Sequence, residues 1–172
     1  PLRHDARVRV ITPGRLIHLK GVSLAVRAVA AAHTPDLHLT VAGDGPERER
    51  LQRLASELQV DVTFTGWLPQ AELFALLAAS DVLLFPSLHD ECGFVVLEAM
   101  AHGVVPVVVA NGGPPLLAGD AGLTVRPGGR TALVAALAGH LRMLATQPEL
   151  RAVLHRRARQ VAQTFEWRTR HG

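Results

Sequence analysis

Features that mark several common protein classes are scarce or missing in this 172-residue sequence. Cys92 is the only cysteine, so no disulfide can form within the chain, which fits a reducing compartment. No apolar run approaches the roughly eighteen residues of a membrane span, and no apolar signal core follows the basic N-terminus. We therefore expect a chain without a membrane span, located in the cytoplasm.

Three catalytic motifs are also missing: G-x-S-x-G, G-x-x-x-x-G-K-[ST] and H-E-x-x-H. Their absence argues against a hydrolase or a P-loop protein. The segment that begins at Gly43 opens like a dinucleotide fingerprint, but Arg48 stands where the third glycine belongs, which disfavours a nicotinamide site. His89 to Cys92 are possible metal ligands, yet consecutive residues rarely converge on one ion, so we expect no metal site.

Charge is balanced and spread along the chain. Eighteen basic and fifteen acidic residues give a formal net charge of +3, which suits anionic small ligands better than nucleic acid. Lys20 is the only lysine, so the other seventeen basic residues are arginines (18 less 1). An ammonium group is a compact point charge, unlike the forked guanidinium of arginine, so Lys20 is a candidate for a specific role.

What the sequence does contain is an alternation of short apolar runs with longer runs of helical period. The apolar runs show little polar alternation, which is typical of parallel strands covered on both faces. The sequence predicts one α/β domain over residues 1–172, a doubly wound parallel sheet of Rossmann-like type with helices on both faces. The expected strands are 8–11, 37–42, 62–65, 82–85, 104–109 and 123–125, and the expected helices are 22–33, 46–58, 70–80, 94–102, 130–145 and 149–163.

Polar or glycine-bearing loops follow five of these strands. In open parallel sheets, ligands bind outside the carboxyl ends of the strands, at the point where the strand order reverses. We therefore expect these loops to converge on one crevice. They are residues 12–20, 43–46, 66–69, 86–93 and 110–115.

The first of these loops carries two cations. Arg15 and Lys20 lie between the first strand and the first helix, with Gly14 and Gly21 beside them. A guanidinium and an ammonium together can hold a diphosphate and stabilise its charge as it leaves. The alternative is that both are ordinary surface cations.

The segment DECGFVVLEAMA places two acids around the start of a helix. Gly93 allows the backbone to turn, and the first N–H groups of the helix could bind a phosphate. Asp90 precedes the helix and Glu98 lies inside it, so the two carboxylates can reach different ends of one ligand. Glu98 could accept both hydroxyls of a ribose, or it could be satisfied by backbone or an arginine. Asp90 and Glu91 could instead be solvated loop charges.

Four segments together resemble the C-terminal, nucleotide-sugar-binding domain of retaining GT-B-fold glycosyltransferases, the glycosyl transferases group 1 family. The resemblance covers roughly residues 8–165. It rests on GRLIHLKG, LTVAGDGPERERLQ, VTFTGWLP and the run from DVLLFP to GGPP, which occur in the order typical of that family.

The resemblance implies a role for each candidate residue. Arg15 and Lys20 would hold the donor diphosphate, Glu98 the ribose, and Asp90 the transferred sugar, with Glu91 as a substitute one place later. The remaining donor-binding residues implied are Gly14, Gly43 and Gly45 in the glycine turns, Trp67 beside the base, and the N–H groups near Gly93, Phe94 and Val95.

The resemblance also implies the partners. The substrate would be a UDP or GDP sugar, bound without a cofactor or metal ion. An N-terminal acceptor domain would be absent from this chain, which begins at Pro1, and the isolated domain would transfer poorly. The basic helix near the C-terminus could be an ordinary solvated face, or it could contact that domain or a membrane or lipid acceptor. Two alternatives stay open: half of a nucleotide-sugar epimerase of the same fold, and a non-catalytic nucleotide-sugar-binding module.

Overall fold

The computed structural model describes residues 7–86, 94–110 and 121–171, with side chains described up to residue 165. The strands are β1 (Val8–Pro13), β2 (Leu37–Ala42), β3 (Val62–Phe64), β4 (Val82–Phe85), β5 (Val105–Val109) and β6 (Leu123–Val125). The helices of these ranges are α1 (Val22–Ala31), α2 (Arg48–Glu57), α3 (Gln70–Ala78), α4 (Phe94–Ala101), α5 (Arg130–Thr146) and α6 (Pro148–His171). A short 3-10 helix, His18–Lys20, precedes α1.

The six strands form one parallel sheet in the order β3-β2-β1-β4-β5-β6. The chain moves outward from β1 through β2 to β3, and then returns to build β4, β5 and β6 on the other side. The strand order therefore reverses between β1 and β4, which is where open α/β sheets bind ligands. The predicted doubly wound α/β fold is confirmed.

Helices cover both faces of the sheet because the strands are apolar on both sides. Every residue of β4 and β5 is buried. Helices α1, α2 and α5 pack on the face that presents Val10, Val41 and Val107. Helices α3 and α4 pack on the opposite face, which presents Leu83 and Val108. This two-sided burial is the reason that the strands lack the polar alternation of a half-exposed sheet.

A buried threonine joins the two strands at the reversal point. Thr12 is the buried polar residue of the described core, and its hydroxyl donates to the Leu84 carbonyl oxygen at 2.9 Å. Burying an unpaired hydroxyl would be unfavourable, so this bond satisfies Thr12 and links β1 to β4.

Most element boundaries lie within two residues of the sequence prediction, but α6 continues to His171, eight residues beyond its predicted end at residue 163. Two of the smaller differences have a clear reason. Strand β1 continues to Pro13, two residues beyond the predicted end, because its last residues pair with Val41 and Ala42 of β2. Helix α2 begins at Arg48 and not at Pro46, because the Glu47 N–H donates to the Leu16 carbonyl oxygen at 3.0 Å and holds a turn there. Among the described residues, no helix is long and apolar enough to cross a membrane.

Candidate functional site

The loops after β1 and β2 meet backbone to backbone. A Cβ atom placed on Gly43 would lie 1.9 Å from the Gly14 carbonyl oxygen, so only glycine fits there. A Cβ atom on Gly45 would lie 2.7 Å from the Leu16 carbonyl oxygen. Two N–H bonds reinforce the contact, since Gly14 donates to Ala42 and Leu16 donates to Asp44, each at 3.0 Å. The glycines that the sequence singled out therefore bring two loops together.

The loop after β1 also contacts the end of β4. Gly21 has a φ of +64°, and a Cβ atom there would lie 2.4 Å from the Pro86 carbonyl oxygen. Lys20 lies half-buried on this loop, with its aliphatic carbons 3.8 and 3.9 Å from the Cβ position of Gly14. Arg15 is exposed on the same loop. Both predicted cations thus lie at the point where the strand order reverses.

The loop after β3 contacts the loop after β2. Asp44 accepts a bond from the Gly45 N–H at 2.8 Å and pairs with Arg48 at 3.1 Å. A Cβ atom on Gly66, whose φ is +74°, would lie 3.4 Å from the Arg48 guanidinium. The next residue, Trp67, is 75% exposed. Arg48 occupies the position of the third glycine in a dinucleotide fingerprint. Its guanidinium pairs with Asp44 and lies beside Gly66, so it holds the loop after β2 next to the loop after β3.

Trp67 and Glu98 line one groove of about 540 Å³ between the loop after β3 and helix α4. Phe94, which is 74% exposed, and Val95 line it as well. The groove therefore combines a carboxylate with two exposed aromatic rings. Apolar walls with a few placed polar groups are typical of small-ligand sites.

Glu98 has a partner that the sequence analysis missed. Its carboxylate lies 3.5 Å from the ring nitrogen of His102, and the two side chains are 36% and 38% exposed. The sequence analysis left open a backbone group or an arginine as the partner of Glu98, whereas the ion pair that the structure gives is with His102, on the face of α4 that borders the groove. The i,i+4 spacing on a predicted helix was the signal that could have identified the pair.

Part of the predicted site lies outside the described residues. Asp90, Glu91 and Gly93 fall in residues 87–93, and the fifth loop falls largely in residues 111–120. Among the described residues, Lys20 belongs to the loop cluster after β1 and Glu98 to the groove at α4. The described ranges hold no group of three histidine, cysteine, aspartate or glutamate residues arranged for a metal ion.

This arrangement of fold and loops matches a known family. The sequence profile described as "Glycosyl transferases group 1" matches residues 7–143, most of the chain. The chain belongs to the glycosyl transferases group 1 family. The resemblance drawn from the four sequence segments is therefore confirmed.

Relatives of known name are consistent with this membership. The chain is 34% identical over 185 residues to a GDP-mannose-dependent alpha-(1-6)-phosphatidylinositol dimannoside mannosyltransferase of Mycobacterium tuberculosis, covering 97% of this chain and 45% of that protein. It is 27% identical to WaaG, a glycosyltransferase involved in lipopolysaccharide biosynthesis, with a TM-score of 0.80 over 94% of this chain and 44% of WaaG. The fold also matches Anabaena HepE in complex with UDP and glucose, with a TM-score of 0.81, 24% identity and coverage of 92% and 44%.

This member of the family spans less than half the length of these three proteins. The family and the relatives named above are glycosyltransferases, and none of them favours an epimerase or a non-catalytic module. The predicted roles of individual residues stay predictions.

Proposed function

We propose that this chain is the donor-binding half of a retaining glycosyltransferase that moves a sugar from a nucleoside-diphosphate sugar to an acceptor. The observation that carries the proposal is the meeting of the loops after β1, β2 and β3 with Pro86 at the end of β4, with Lys20 against Gly14 and the Trp67–Glu98 groove beside them. Family membership and a relative named as GDP-mannose-dependent support a UDP or GDP sugar as the donor.

The loop after β1 would bind the diphosphate. Arg15 supplies a forked guanidinium and Lys20 a point charge, and both stabilise the negative charge that develops on the leaving diphosphate. The close approach of Gly14 and Gly43 keeps side chains away from the backbone there, so a ligand can lie near peptide N–H groups. The reaction would then need no metal ion or other cofactor.

The groove at α4 would bind the nucleoside. The exposed ring of Trp67 offers an apolar surface beside the base, and the Glu98 carboxylate can accept both hydroxyls of a ribose. The sugar itself would face Asp90 or Glu91, with N–H groups near Gly93, Phe94 and Val95 on the phosphate. Acceptor contacts would come from an N-terminal domain or from a lipid or membrane acceptor, in a cytoplasmic enzyme.

A panel of UDP and GDP sugars, monitored by the melting temperature, tests this proposal. A ligand at about 100 times its Kd stabilises the folded state by about 2.7 kcal/mol. For a domain of this size, that corresponds to a rise of about 5–11 °C. We expect at least one donor to produce such a shift.

Two variants assign the shift to the site. Lys20→Ala and Glu98→Ala should each remove most of it, because one loses the diphosphate cation and the other the ribose acceptor. Arg156→Ala, at an exposed position of α6, is the matched control and should retain the shift. If no UDP or GDP sugar raises the melting temperature, or if Arg156→Ala removes the shift equally, the proposed donor site is wrong.

A further inference from the structure

A second groove lies on the face of the sheet opposite to α3 and α4. It has a volume of about 480 Å³ and runs between α1, α2 and α5. Its floor is aliphatic, formed by Leu24, Leu54 and Leu133. It shares no lining residue with the Trp67–Glu98 groove, so the two are separate concave sites.

The walls of this second groove carry an excess of positive charge. Four arginines line it, one from α1 (Arg27), two from α2 (Arg50 and Arg53) and one from α5 (Arg130). The acid among the lining residues is Glu57, so the groove has a formal charge of +3 (4 less 1). Because the whole chain also has a formal charge of +3, the rest of the sequence has a formal charge of zero (3 less 3).

Among the described residues, ion pairs account for one of these four arginines. Arg50 pairs with Glu47 at 2.7 Å. Across residues 7–86, 94–110 and 121–165, Arg27, Arg53 and Arg130 form no ion pair. Arg130 is also the first residue of α5, where the helix dipole disfavours a cation. Like charges that face one concave space repel each other, and an anion bound between them removes that repulsion.

We propose that this groove binds a small soluble ligand that carries two or more phosphate charges. Guanidinium groups from three helices can approach such a ligand from different directions, and each can form a forked pair with phosphate oxygens. The volume lies within the range of small-ligand pockets, which favours a small molecule over a macromolecule. The aliphatic floor suits an apolar part of the same ligand. The groove borders the loop after β1 through His18 and Gly21, but its four arginines are not among the residues proposed for the donor site.

Inorganic pyrophosphate, titrated calorimetrically at low salt, is the probe. Since pyrophosphate would also occupy the donor site, the titrations use chains that already carry Lys20→Ala. Adding Arg53→Ala and Arg130→Ala should weaken the Kd at least tenfold. Adding Arg156→Ala and Arg157→Ala instead, which removes the same charge from exposed positions of α6, should change it less than twofold.

Circular dichroism melting shows whether each variant folds. If the double variant does not fold, Arg53→Ala alone should weaken the Kd at least threefold, because its exposed side chain bears little of the packing. Equal weakening by the α6 control pair, or no pyrophosphate binding in the Lys20→Ala chain, would overturn the proposal. Sedimentation with phosphatidylglycerol vesicles that depends on Arg53 and Arg130, without pyrophosphate binding, would also overturn it in favour of a membrane surface.

Discussion

At the scale of single residues, the candidate site requires glycine at positions where two backbone segments approach too closely for a side chain. Gly43 approaches the Gly14 carbonyl so closely that even a methyl group would overlap it. Gly139, by contrast, lies in the middle of α5 with nothing within 4 Å of its Cβ position. The same residue type is therefore required at one position by close packing and is replaceable at the other.

A matched pair of glycine substitutions tests this difference. Gly43→Ala should lower the free energy of unfolding by about 1–3 kcal/mol, because the loops after β1 and β2 must separate. Gly139→Ala should raise it by about 0.5–1 kcal/mol, because alanine favours the helix and restricts the unfolded chain. Urea denaturation measures both changes. Equal effects of the two substitutions would show that the loop contact is not tight.

At the scale of elements, α5 holds the first face of the sheet together. Its Arg142 guanidinium donates to the Ala32 and Ala31 carbonyl oxygens at 2.9 and 3.1 Å, and so satisfies the C-terminal end of α1. Two residues earlier on the same helix, His140 lies against β6. Burial lowers the pKa of His140 below 6.5, although a backbone hydrogen bond with Thr124 opposes that shift.

The packing of His140 predicts a pH dependence of stability. When the folded pKa of a histidine is lowered, the unfolded chain binds more protons, so the free energy of unfolding falls as the pH drops below about 6.5. The fall ends at the lowered pKa of the folded state. His140→Gln should reduce this dependence of the free energy of unfolding on pH. Urea denaturation between about pH 5 and 7 measures the dependence, because histidine titrates in that range.

His33→Gln is the control for the pH experiment. His33 is exposed, at a residue of positive φ that follows α1. Its substitution should leave the slope below pH 6.5 unchanged. A slope that is equally steep in the His140→Gln chain and the unsubstituted chain would contradict the assignment to His140.

At the scale of the whole molecule, α6 joins the two faces of the sheet. Leu154 packs in the cluster that contains α1, α2 and α5, whereas Ala158 and Ala162 pack in the cluster that contains α3 and α4. The family profile ends at residue 143, before this helix begins. The helix therefore couples the face of the arginine groove to the face of the proposed nucleoside groove.

Leu154→Ala should destabilise the whole chain. Removing a buried leucine costs about 2–5 kcal/mol, which is a large part of the stability of a small domain. Because one domain unfolds as a unit, tryptophan fluorescence and far-UV circular dichroism should report the same shifted midpoint. Gln160→Ala, at an exposed position of the same helix, should change the stability by less than about 0.5 kcal/mol. Two separate transitions would contradict the coupling.

The sequence by itself determined the strands, the helices and the class of fold. Runs such as Val105–Val109 are apolar throughout because both faces of the sheet are covered, and that pattern is visible without coordinates. The same holds for the glycines of the strand-end loops, since few other residues allow such turns. Four ordered segments were also enough to identify the family, because each segment contains or follows the end of a particular strand.

Only the tertiary structure decided which residues meet. Local periodicity does not contain the strand order, so the contacts of Gly43 with Gly14 and of Gly21 with Pro86 follow from β1 lying between β2 and β4. The arginine groove escaped the sequence analysis for the same reason. Arg27, Arg53 and Arg130 are far apart along the chain, and packing of three helices on one sheet face brings their charges to one space.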